Sequence, residues 1–406
     1  MISVSYVLDK LRDVKLQDYL AVFPMTAALI MKPFYKNKYE GGWLVCEEPS
    51  EARDNGYHFF RYMCRNQKSQ KCFYAIKKSS VDYEKVKELG NVIEYGSIQH
   101  WLAYFLCEYN ISSQKGGKPN AALCAFMELN GIIKRRNIFL QHGIIINNLR
   151  WLYAECSQID KFIVSTIPEY DYLEENFGYP KGTVTLTGMP RHDALHDIAV
   201  MPNRVLIMPT WRYWFNINSK KHKDIDCNFE TSDYLKKWLE VLDNPKMAGM
   251  IEKYKLEVIF YPHRNMQKNL HAFSQVKTPI TIASWERYDI QELLKTSALL
   301  ITDYSSVFFD MVYMKKPVIF YQFDEEKYRN YQYGDGYFDY HNNAFGKTFE
   351  DCEGVMGELE KQIMHRFEPS EEFLEEHRRI FKYWDIKNSE RIFNMLSAER
   401  ICGDEI

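Results

Sequence analysis

The 406-residue sequence lacks the short signatures of several common site types. Its nine cysteines are scattered, and no CxxC pair occurs, which argues against a structural zinc site. Glycine-rich phosphate loops of the GxGxxG and GxxxxGK[ST] types are absent, as is the GxSxG elbow of acyl hydrolases. Any nucleotide that this chain binds is therefore expected to be held by other elements than these loops.

Strong net charge and long hydrophobic runs are also missing. The formal net charge is −3, so bulk positive charge is not available to attract nucleic acid. The longest apolar run near the start, Leu20–Met31, is shorter than the roughly 20 residues that a membrane-spanning helix needs. With unpatterned cysteines and no recognisable secretory leader, we expect reduced thiols and a cytoplasmic location, at most peripheral on the inner face of the membrane.

What the sequence does contain is a β-α rhythm that occurs in two series. Short apolar strands alternate with helical segments from residue 43 onward, and a second series begins at residue 204. Repeated units of this kind predict mostly parallel sheets with helices on both faces. We predict an α/β fold of two Rossmann-like, doubly wound domains that face a cleft, over 1–195 and 203–380, with a C-terminal helix over 381–406 that packs back across the cleft.

The beginning of the chain has an amphipathic, basic pattern. Over residues 3–20 apolar positions recur at helical spacing, with basic residues between them. A helix of this kind fits two interpretations. In the preferred interpretation it packs on its own domain, and in the other it lies on anionic lipid.

Ligands of doubly wound folds bind beyond the carboxyl ends of the strands, so polar residues that follow predicted strands are the candidates for a site. His142 and Gly143 follow the predicted strand Ile138–Leu140. An imidazole titrates near pH 6.5 and is able to accept a proton from a hydroxyl, while glycine permits close approach of a ligand. The competing interpretation is a loop histidine that bonds its own turn.

Two more candidates follow strands of the second series. Arg212 comes after the strand Val205–Met208, and its planar guanidinium suits a phosphate. His263 comes after the strand Val258–Tyr261, where its ring is able to donate to a phosphate oxygen. The alternative for Arg212 is a surface arginine in a loop without a ligand. The alternative for His263 is a Pro-His pair without a function.

The most specific segment is Thr302-Asp303-Tyr304-Ser305-Ser306, between an apolar strand and a helix predicted over Ser305–Met314. The amino end of a helix carries unpaired N–H donors and partial positive charge, so Ser305 and Ser306 are candidates for an anion site. Simple capping by Ser and Asp is the alternative.

An acidic pair, Asp224 and Asp226, is the only metal candidate among these motifs. It lies in a charged loop beside Lys220–Lys223 and does not follow a strand, so no metal is predicted.

The order of these motifs resembles the CDP-glycerol glycerophosphotransferases, the teichoic acid and capsule polymerases. The resemblance covers roughly residues 20–395. It rests on these segments: Leu140-Gln141-His142-Gly143, Thr187-Gly188-Met189-Pro190-Arg191, Pro209-Thr210-Trp211-Arg212, Tyr261-Pro262-His263, Thr302–Ser306 with Phe309-Asp310 and Lys316-Pro317, and Ile386–Ile392. Ala52–Gly56, with Phe59 and Phe60, is similar to the first strand–helix unit of the family.

The resemblance implies a GT-B fold and transfer of an alditol phosphate from a CDP-alditol to a hydroxyl of a surface polymer or lipid-linked primer, with release of CMP. It implies that His142 is the base, and that Arg212, His263, Ser305 and Ser306 surround the donor diphosphate, with Asp303 in the same motif. No cofactor and no nucleic acid partner are implied, whereas a lipid-linked acceptor implies peripheral membrane contact.

Two departures from the family pattern concern the acceptor side. Gln141 stands where the family often has Trp, and Ile144–Asn147 lacks the Lys that often follows the Gly. Glycerol or ribitol as the alditol, and the acceptor, therefore stay open. The alternatives are a GT-B glycosyltransferase or epimerase acting on a nucleotide sugar, and a non-catalytic domain that binds nucleotide or polymer.

Overall fold

The structure, a computed structural model, describes residues 16–196, 199–215 and 228–403. Most of the amphipathic segment 3–20, the Lys220–Lys223 run and the Asp224/Asp226 pair therefore lie outside the described residues. Within the described ranges the chain forms two compact units. The first unit combines 16–144, 150–194 and 383–403, and the second combines 145–149 with 195–382. The predicted domain bounds and the role of each domain stay predictions.

The first unit contains a seven-stranded parallel sheet. Its helices are α1 (Leu16–Leu20), α2 (Val22–Tyr39), α3 (Asn55–Asn66), α4 (Tyr83–Lys87), α5 (Ile98–Leu106), α6 (Ala121–Leu129), α7 (Ile167–Asn176) and, after the second unit, α15 (Asn388–Gly403). Its strands are β1 (Trp43–Cys46), β2 (Cys72–Ile76), β3 (Val92–Glu94), β4 (Tyr109–Ser112), β5 (Arg136–Phe139), β6 (Lys161–Val164) and β7 (Val184–Leu186). A 3₁₀ turn, Pro190–Ala194, follows β7.

The strand order β3-β2-β1-β4-β5-β6-β7 reverses direction between β1 and β4. Every residue of β1 and β2 is buried, as expected for parallel strands that are covered on both faces. One face packs against α3 and α15, through Phe59, Ile392 and Leu396 among others. The opposite face packs against α2 and α5, with Trp101 fully buried. The carboxyl ends of β1 and β4 therefore form the switch point of this sheet.

The second unit contains a six-stranded parallel sheet in the order β10-β9-β8-β11-β12-β13. Its strands are β8 (Arg204–Met208), β9 (Glu257–Phe260), β10 (Thr281–Ile282), β11 (Leu299–Thr302), β12 (Val318–Tyr321) and β13 (Gly346–Phe349). Its helices are α8 (Asp233–Leu242), α9 (Pro245–Tyr254), α10 (Ile290–Thr296), α11 (Phe308–Tyr313), α12 (Glu325–Tyr331), α13 (Cys352–Met364) and α14 (Glu371–Ile380). A long 3₁₀ segment, Arg264–Phe273, follows β9.

The core of this unit is dominated by aromatic side chains. Trp238 of α8 is fully buried and meets Tyr321 of β12 edge to face, with ring centroids 5.3 Å apart. On the other face, Phe308 of α11 packs against Phe320 of β12 at 5.0 Å. Packing of this kind holds β8 and β11 side by side at the centre of the sheet, where the strand order reverses.

The predicted fold class is confirmed, because both sheets are parallel and doubly wound. The local predictions missed two strands and misplaced the start of one helix. Neither β4, at the centre of the first sheet, nor β13, at the edge of the second, was predicted. The helix predicted over Ser305–Met314 begins only at Phe308, because Ser305–Val307 form a turn in which the Phe308 and Phe309 N–H groups donate to the carbonyls of Ser305 and Ser306.

In the described part of the chain, no helix combines the length and apolar character needed to cross a bilayer.

Candidate active site

The candidate residues cluster at the switch points of the two sheets. In the first unit, loops that follow β1, β4 and β5 carry Asp54, Gln114 and His142. In the second unit, loops that follow β8, β9 and β11 carry Arg212, His263 and Asp303. Parallel topology brings the carboxyl ends of neighbouring strands to one edge, so each group is assembled from segments that are distant in sequence.

His142 and Asp54 form a hydrogen-bonded pair in the first unit. The His142 Nδ1 lies 2.6 Å from an Asp54 carboxylate oxygen, and the His142 side chain is 66% exposed while that of Asp54 is mostly buried. Asp54 is also the N-cap of α3, since its other oxygen accepts from the Asn55 N–H at 2.8 Å. The Gln114 amide nitrogen lies 3.0 Å from the same imidazole nitrogen. A helix cap thus places a carboxylate against an accessible imidazole.

The carboxylate changes the proton affinity of the ring. The negative charge of Asp54 raises the pKa of His142 above its ordinary value, outweighing the opposing effects of partial desolvation and of the Arg191 charge. A carboxylate at Nδ1 favours the tautomer that carries its proton on Nδ1, which leaves Nε2 as the proton acceptor. The pair is therefore suited to general-base chemistry near neutral pH.

The backbone that carries His142 is itself held by a buried network. Gln141 has φ of 65°, a left-handed conformation that is uncommon for residues other than glycine. Its carbonyl accepts from the Asn55 side chain at 2.9 Å, and its amide donates to the Ile163 carbonyl of β6. The Arg191 guanidinium donates to the His142 carbonyl at 2.6 Å. The imidazole thus projects from a turn that is held by hydrogen bonds to Asn55, Ile163 and Arg191.

Glu47, directly after β1, is a second carboxyl group in this network. Its oxygens accept from the backbone N–H groups of Arg53 and Tyr57 at 2.9 and 3.0 Å, and from the Ser113 hydroxyl at 3.2 Å. Burial and the nearby charge of Asp54 raise the pKa of Glu47 to about 7. A β-carbon at Gly56 would lie 2.6 Å from a Glu47 oxygen, so the start of α3 packs tightly on this carboxyl.

In the second unit, Arg212 occupies a buried box of charge and aromatic rings. Its side chain is fully buried and is paired with Asp303 and Asp324, each at 2.8 Å. A further N–H donates to the Thr210 carbonyl at 2.9 Å. The guanidinium lies 4.9 to 5.2 Å from three tyrosine ring centroids, those of Tyr234, Tyr304 and Tyr328. In this conformation Arg212 faces protein groups on all sides.

Asp303 connects the loops after β8 and β11. One carboxylate oxygen accepts from the N–H groups of Thr210 and Tyr304, both at 2.8 Å. Burial acts to raise the pKa of Asp303, and the Arg212 charge opposes that effect. For Arg212 burial acts in the opposite sense, but the Asp324 and Asp303 charges raise its pKa well above the ordinary value. Because both groups are enclosed, their geometry supports a role in shaping the loops.

His263 and the two serines are the more accessible predicted residues of this unit. His263 caps the 3₁₀ segment after β9, and its Nδ1 accepts from the Asn265 N–H at 3.2 Å. Its backbone N–H donates to the Pro209 carbonyl at 3.1 Å, and its ring stacks on Trp211 with centroids 6.2 Å apart. Ser305 and Ser306 are half-buried in the turn that precedes α11. The structure thus joins the loops after β8, β9 and β11.

The structure brings the predicted residues together within each unit and adds residues that the sequence interpretation missed. Gly143 is half-buried directly after His142. Asp54, Glu47 and Asp324 were not singled out as functional residues. The available signal was an Asp-Asn-Gly segment after β1, which is typical of a helix start but does not indicate a histidine partner 88 residues away. The roles assigned to individual residues stay predictions.

Within the described ranges, no three His, Cys, Asp or Glu side chains converge in a group suited to a metal ion.

Comparison with known proteins gives one family over most of the chain. The family model for CDP-glycerol:poly(glycerophosphate) glycerophosphotransferase matches residues 38–398. The minor teichoic acid biosynthesis protein GgaB of Bacillus subtilis (strain 168) is 28% identical over 366 residues, which cover 87% of this chain and 39% of GgaB. The teichoic acid ribitol-phosphate polymerase TarK of Staphylococcus aureus is 27% identical over 248 residues, which cover 57% of this chain and 44% of TarK. The chain therefore spans less than half of the length of these relatives.

Solved structures show the same architecture. A variant of the wall teichoic acid polymerase TagF has a TM-score of 0.67 and 15% identity, covering 97% of this chain and 100% of that chain. A TagF variant soaked with CDPG gives 0.64 and 15%, covering 95% and 98%. The UDP-GlcNAc 2-epimerase of Methanocaldococcus jannaschii gives 0.52 and 14%, covering 88% and 99%. At these identities the likeness concerns the fold alone.

Proposed function

Since the chain belongs to the CDP-glycerol:poly(glycerophosphate) glycerophosphotransferase family, we propose that it transfers an alditol phosphate from a CDP-alditol to an acceptor hydroxyl and releases CMP. Relatives in this family include enzymes named for glycerol-phosphate and for ribitol-phosphate transfer. The proposal therefore commits to the reaction and to the CDP-alditol class, with glycerol as the first alditol to test.

The observation that carries the proposal is the exposed imidazole of His142 on the mostly buried carboxylate of Asp54. Transfer to an alcohol needs a base that takes the hydroxyl proton as the new bond to phosphorus forms. A raised pKa strengthens His142 as a base while leaving a neutral fraction near neutral pH. The carboxylate then stabilises the imidazolium that forms when the proton is accepted.

We assign donor binding to the loops of the second unit. His263, Ser305 and Ser306 are partly exposed at the carboxyl ends of β9 and β11. Hydroxyl groups, backbone N–H groups and an imidazole are suitable partners for diphosphate oxygens. Arg212 acts in this proposal as a positioning residue, because its guanidinium holds Asp303 and the Thr210 carbonyl and so shapes these loops.

The proposed step is a single displacement at the β-phosphorus. The acceptor oxygen forms a bond to phosphorus, its proton passes to His142 Nε2, and the bond from phosphorus to the CMP oxygen breaks. CMP leaves with the electron pair of that bond, and the second-unit donors stabilise its developing charge. A preorganised donor of this kind is worth on the order of 10²–10³ in rate.

A donor panel tests the proposal. The full chain is incubated with CDP-glycerol, CDP-ribitol and UDP-sugars, with and without a primer, and released CMP or UDP and product mass are measured. We expect primer-dependent CMP release from a CDP-alditol, and release from His142→Ala that is lower by about 10²–10⁴-fold. Release of UDP from a nucleotide sugar would favour the glycosyltransferase or epimerase alternative. Tight CDP-alditol binding without turnover on any primer would favour the non-catalytic alternative.

An exposed apolar stripe on the leading helices supports a peripheral contact with lipid as part of this proposal. Leu16, Leu20, Phe23, Ile30 and Phe34 are all exposed and recur at intervals of three, four or seven residues, which places them on one helix face. Ala21, between α1 and α2, keeps helical angles, so the face is continuous. The exposed Lys38 lies four residues after Phe34, beside this face, and favours an anionic surface, whereas Lys32 and Lys36 lie on the other side of α2.

Vesicle binding tests this contact separately from catalysis. The double variant Phe23→Ser with Phe34→Ser is expected to lose most of its sedimentation with vesicles that contain phosphatidylglycerol. The matched control is Ile386→Ser, which removes an exposed apolar side chain elsewhere in the first unit. Equal sedimentation of the parent and the double variant would exclude the stripe as a lipid contact.

A further inference from the structure

Two segments that mark the family resemblance have no role in the reaction described above. They are the Thr187–Arg191 stretch, which leads into the 3₁₀ turn Pro190–Ala194, and the Asn388-Ser389 pair, which begins α15. Both belong to the first unit, and they are in direct contact with each other. Their contacts connect the C-terminal helix to the His142–Asp54 pair.

Within this set of contacts, Arg191 is the residue that touches the candidate base, His142, and its partner Asp54. One guanidinium nitrogen lies 3.1 Å from an Asp54 oxygen and 2.6 Å from the His142 carbonyl oxygen. The backbone N–H of Arg191 donates to the Asn55 side chain at 3.0 Å, and that side chain in turn donates to the Gln141 carbonyl. The Arg191 side chain is only 7% exposed. It therefore fixes both members of the pair from the protein side.

The turn that carries Arg191 is fastened to the start of α15. The Asp193 carboxylate accepts from the Asn388 and Ser389 N–H groups at 2.8 and 2.9 Å, so it caps a helix almost two hundred residues later in the chain. Gly188, with φ of +83°, lies against the same helix start. A β-carbon at this glycine would lie 2.0 Å from the Asn388 side-chain oxygen.

The helix itself is anchored to the first sheet. Ile392 and Leu396 are fully buried in the core of that sheet, and the Tyr109 hydroxyl of β4 donates to the Leu396 carbonyl at 3.1 Å. Glu399 pairs with Arg136 of β5 at 3.1 Å and with Lys161 of β6 at 2.6 Å. The contacts that lead from α15 to Arg191 therefore start from a helix that is fixed to the first sheet.

We propose that Arg191 is a positioning residue for the His142–Asp54 pair and that α15 holds it in place through Asp193 and the close approach at Gly188. The inference rests on the proposed function only in naming His142 as the base. Without Arg191, the turn that carries His142 loses its bond to the His142 carbonyl, and Asp54 loses a partner. The imidazole then spends less time against the carboxylate.

The test follows the titration of His142 directly. The full chain is labelled with isotopes in histidine, the His142 signal is assigned by its loss in His142→Ala, and its midpoint is measured by NMR. The charged groups facing His142 are Asp54, Glu51 and Arg191, and the carboxyl group of Glu47 is close enough to Asp54 to feel its charge. The first variant is Arg191→Lys, because it keeps the positive charge but replaces the rigid, planar guanidinium, one nitrogen of which makes both contacts, with a compact ammonium on a flexible stem.

A positioning role predicts that the His142 midpoint in Arg191→Lys falls toward the ordinary imidazole value of about 6.5. We also expect kcat/KM for CMP release to fall roughly tenfold or more, because groups that orient a functional side chain typically have effects of this size. An unchanged midpoint would overturn the inference, since a charge effect alone is preserved by lysine. The His142 midpoint is measured without turnover. It would therefore still test the positioning role of Arg191 if the proposed reaction were not observed.

A charge-neutral variant tests the contribution of α15. Gly188→Ala places a methyl group against Asn388 and is expected to shift the His142 midpoint in the same direction as Arg191→Lys. The matched control is Gly182→Ala, because Gly182 has φ of +85° but nothing within 4 Å of the added carbon. Backbone strain is then equal, and the contact with α15 differs. A His142 midpoint that responds equally to both changes would remove α15 from the inference.

Discussion

The switch points of the two sheets share a topology but differ in how they treat charge. In the first unit, the charged pair ends in an imidazole that is 66% exposed. In the second unit, Arg212, Asp303 and the tyrosines around them are buried. An exposed imidazole can exchange a proton with a bound alcohol, whereas an enclosed ion pair cannot reach a ligand. The first switch point thus presents a titratable ring to solvent, whereas the second encloses the charges that connect its loops.

The physical basis of the difference is the cost of removing charge from water. A buried guanidinium is tolerated when two carboxylates and aromatic faces replace its hydration. Removing one member then leaves an uncompensated charge in the interior. The His142–Asp54 pair keeps one member in contact with water, so the pair contributes little to stability and its protonation is free to change.

The largest expected effect separates activity from stability at the first switch point. His142→Ala is expected to lower CMP release by about 10²–10⁴-fold, because it removes the general base. The free energy of unfolding should change by less than about 0.5 kcal/mol, since the side chain is exposed. Product release and urea denaturation measure the two quantities. The matched control, His271→Ala, removes another exposed histidine that is paired with a carboxylate, and it should leave both unchanged.

The second switch point should show the reverse pattern. Arg212→Met is expected to lower the free energy of unfolding by about 3 to 5 kcal/mol, because Asp303 and Asp324 stay buried without their partner. Urea denaturation measures the loss. Adding Asp303→Asn and Asp324→Asn to Arg212→Met should recover part of it. A loss below about 1 kcal/mol would mean that the box does not stabilise the fold, and the contrast between the switch points would fail.

The electrostatics of the first switch point predict a pH effect. Asp54 raises the pKa of His142, and a base works only when deprotonated, so activity falls as pH drops through that pKa. Asp54→Asn removes the charge and should move the acidic limb of the kcat/KM profile to lower pH, with a lower maximum because the tautomer is no longer held. A limb that stays in place, or moves to higher pH, would contradict the pairing.

The smallest effect concerns the buried carboxyl of the first unit. Because the folded-state pKa of Glu47 is raised to about 7, protonated Glu47 favours folding below its unfolded pKa. That contribution is lost as pH rises through 7. Relative to Glu47→Gln, the parent should therefore be less stable at pH 8 than at pH 5 by urea denaturation. A difference between the two proteins that does not depend on pH would show that Glu47 is charged at both pH values.

The two parallel sheets could be predicted because most of their strands contain a short apolar run, such as Trp43–Cys46 in β1 and Val205–Met208 in β8. β4 escaped prediction because Asn110 and Ser112 interrupt its apolar pattern. Both residues are nevertheless buried, and the Asn110 amide donates to the Asn137 side chain at 3.2 Å. A partner on the neighbouring strand makes a polar residue acceptable in a central strand, and local sequence does not reveal that partner.

The turn before α11 shows a similar limit. Ser305 and Ser306 are common at helix starts, which is why a helix was predicted from Ser305. In the structure Val307 is the N-cap, and no side chain caps this helix. Asp303, which is a good capping residue, bonds instead to Thr210 and pairs with Arg212. The contacts of Asp303 with Thr210 and Arg212, which are distant in sequence, therefore override its local preference for capping a helix.

Apolar periodicity and the residues that follow each strand were enough to indicate the fold and the presence of His142, His263 and the Ser305-Ser306 turn at strand ends. Whether each charged group is exposed or enclosed was not contained in those patterns. Asp54 meets His142 across 88 residues, and Asp324 meets Arg212 across 112. Such pairs form because packing brings distant loops to one sheet edge, and the surrounding burial then sets whether a charge exchanges protons or holds a loop.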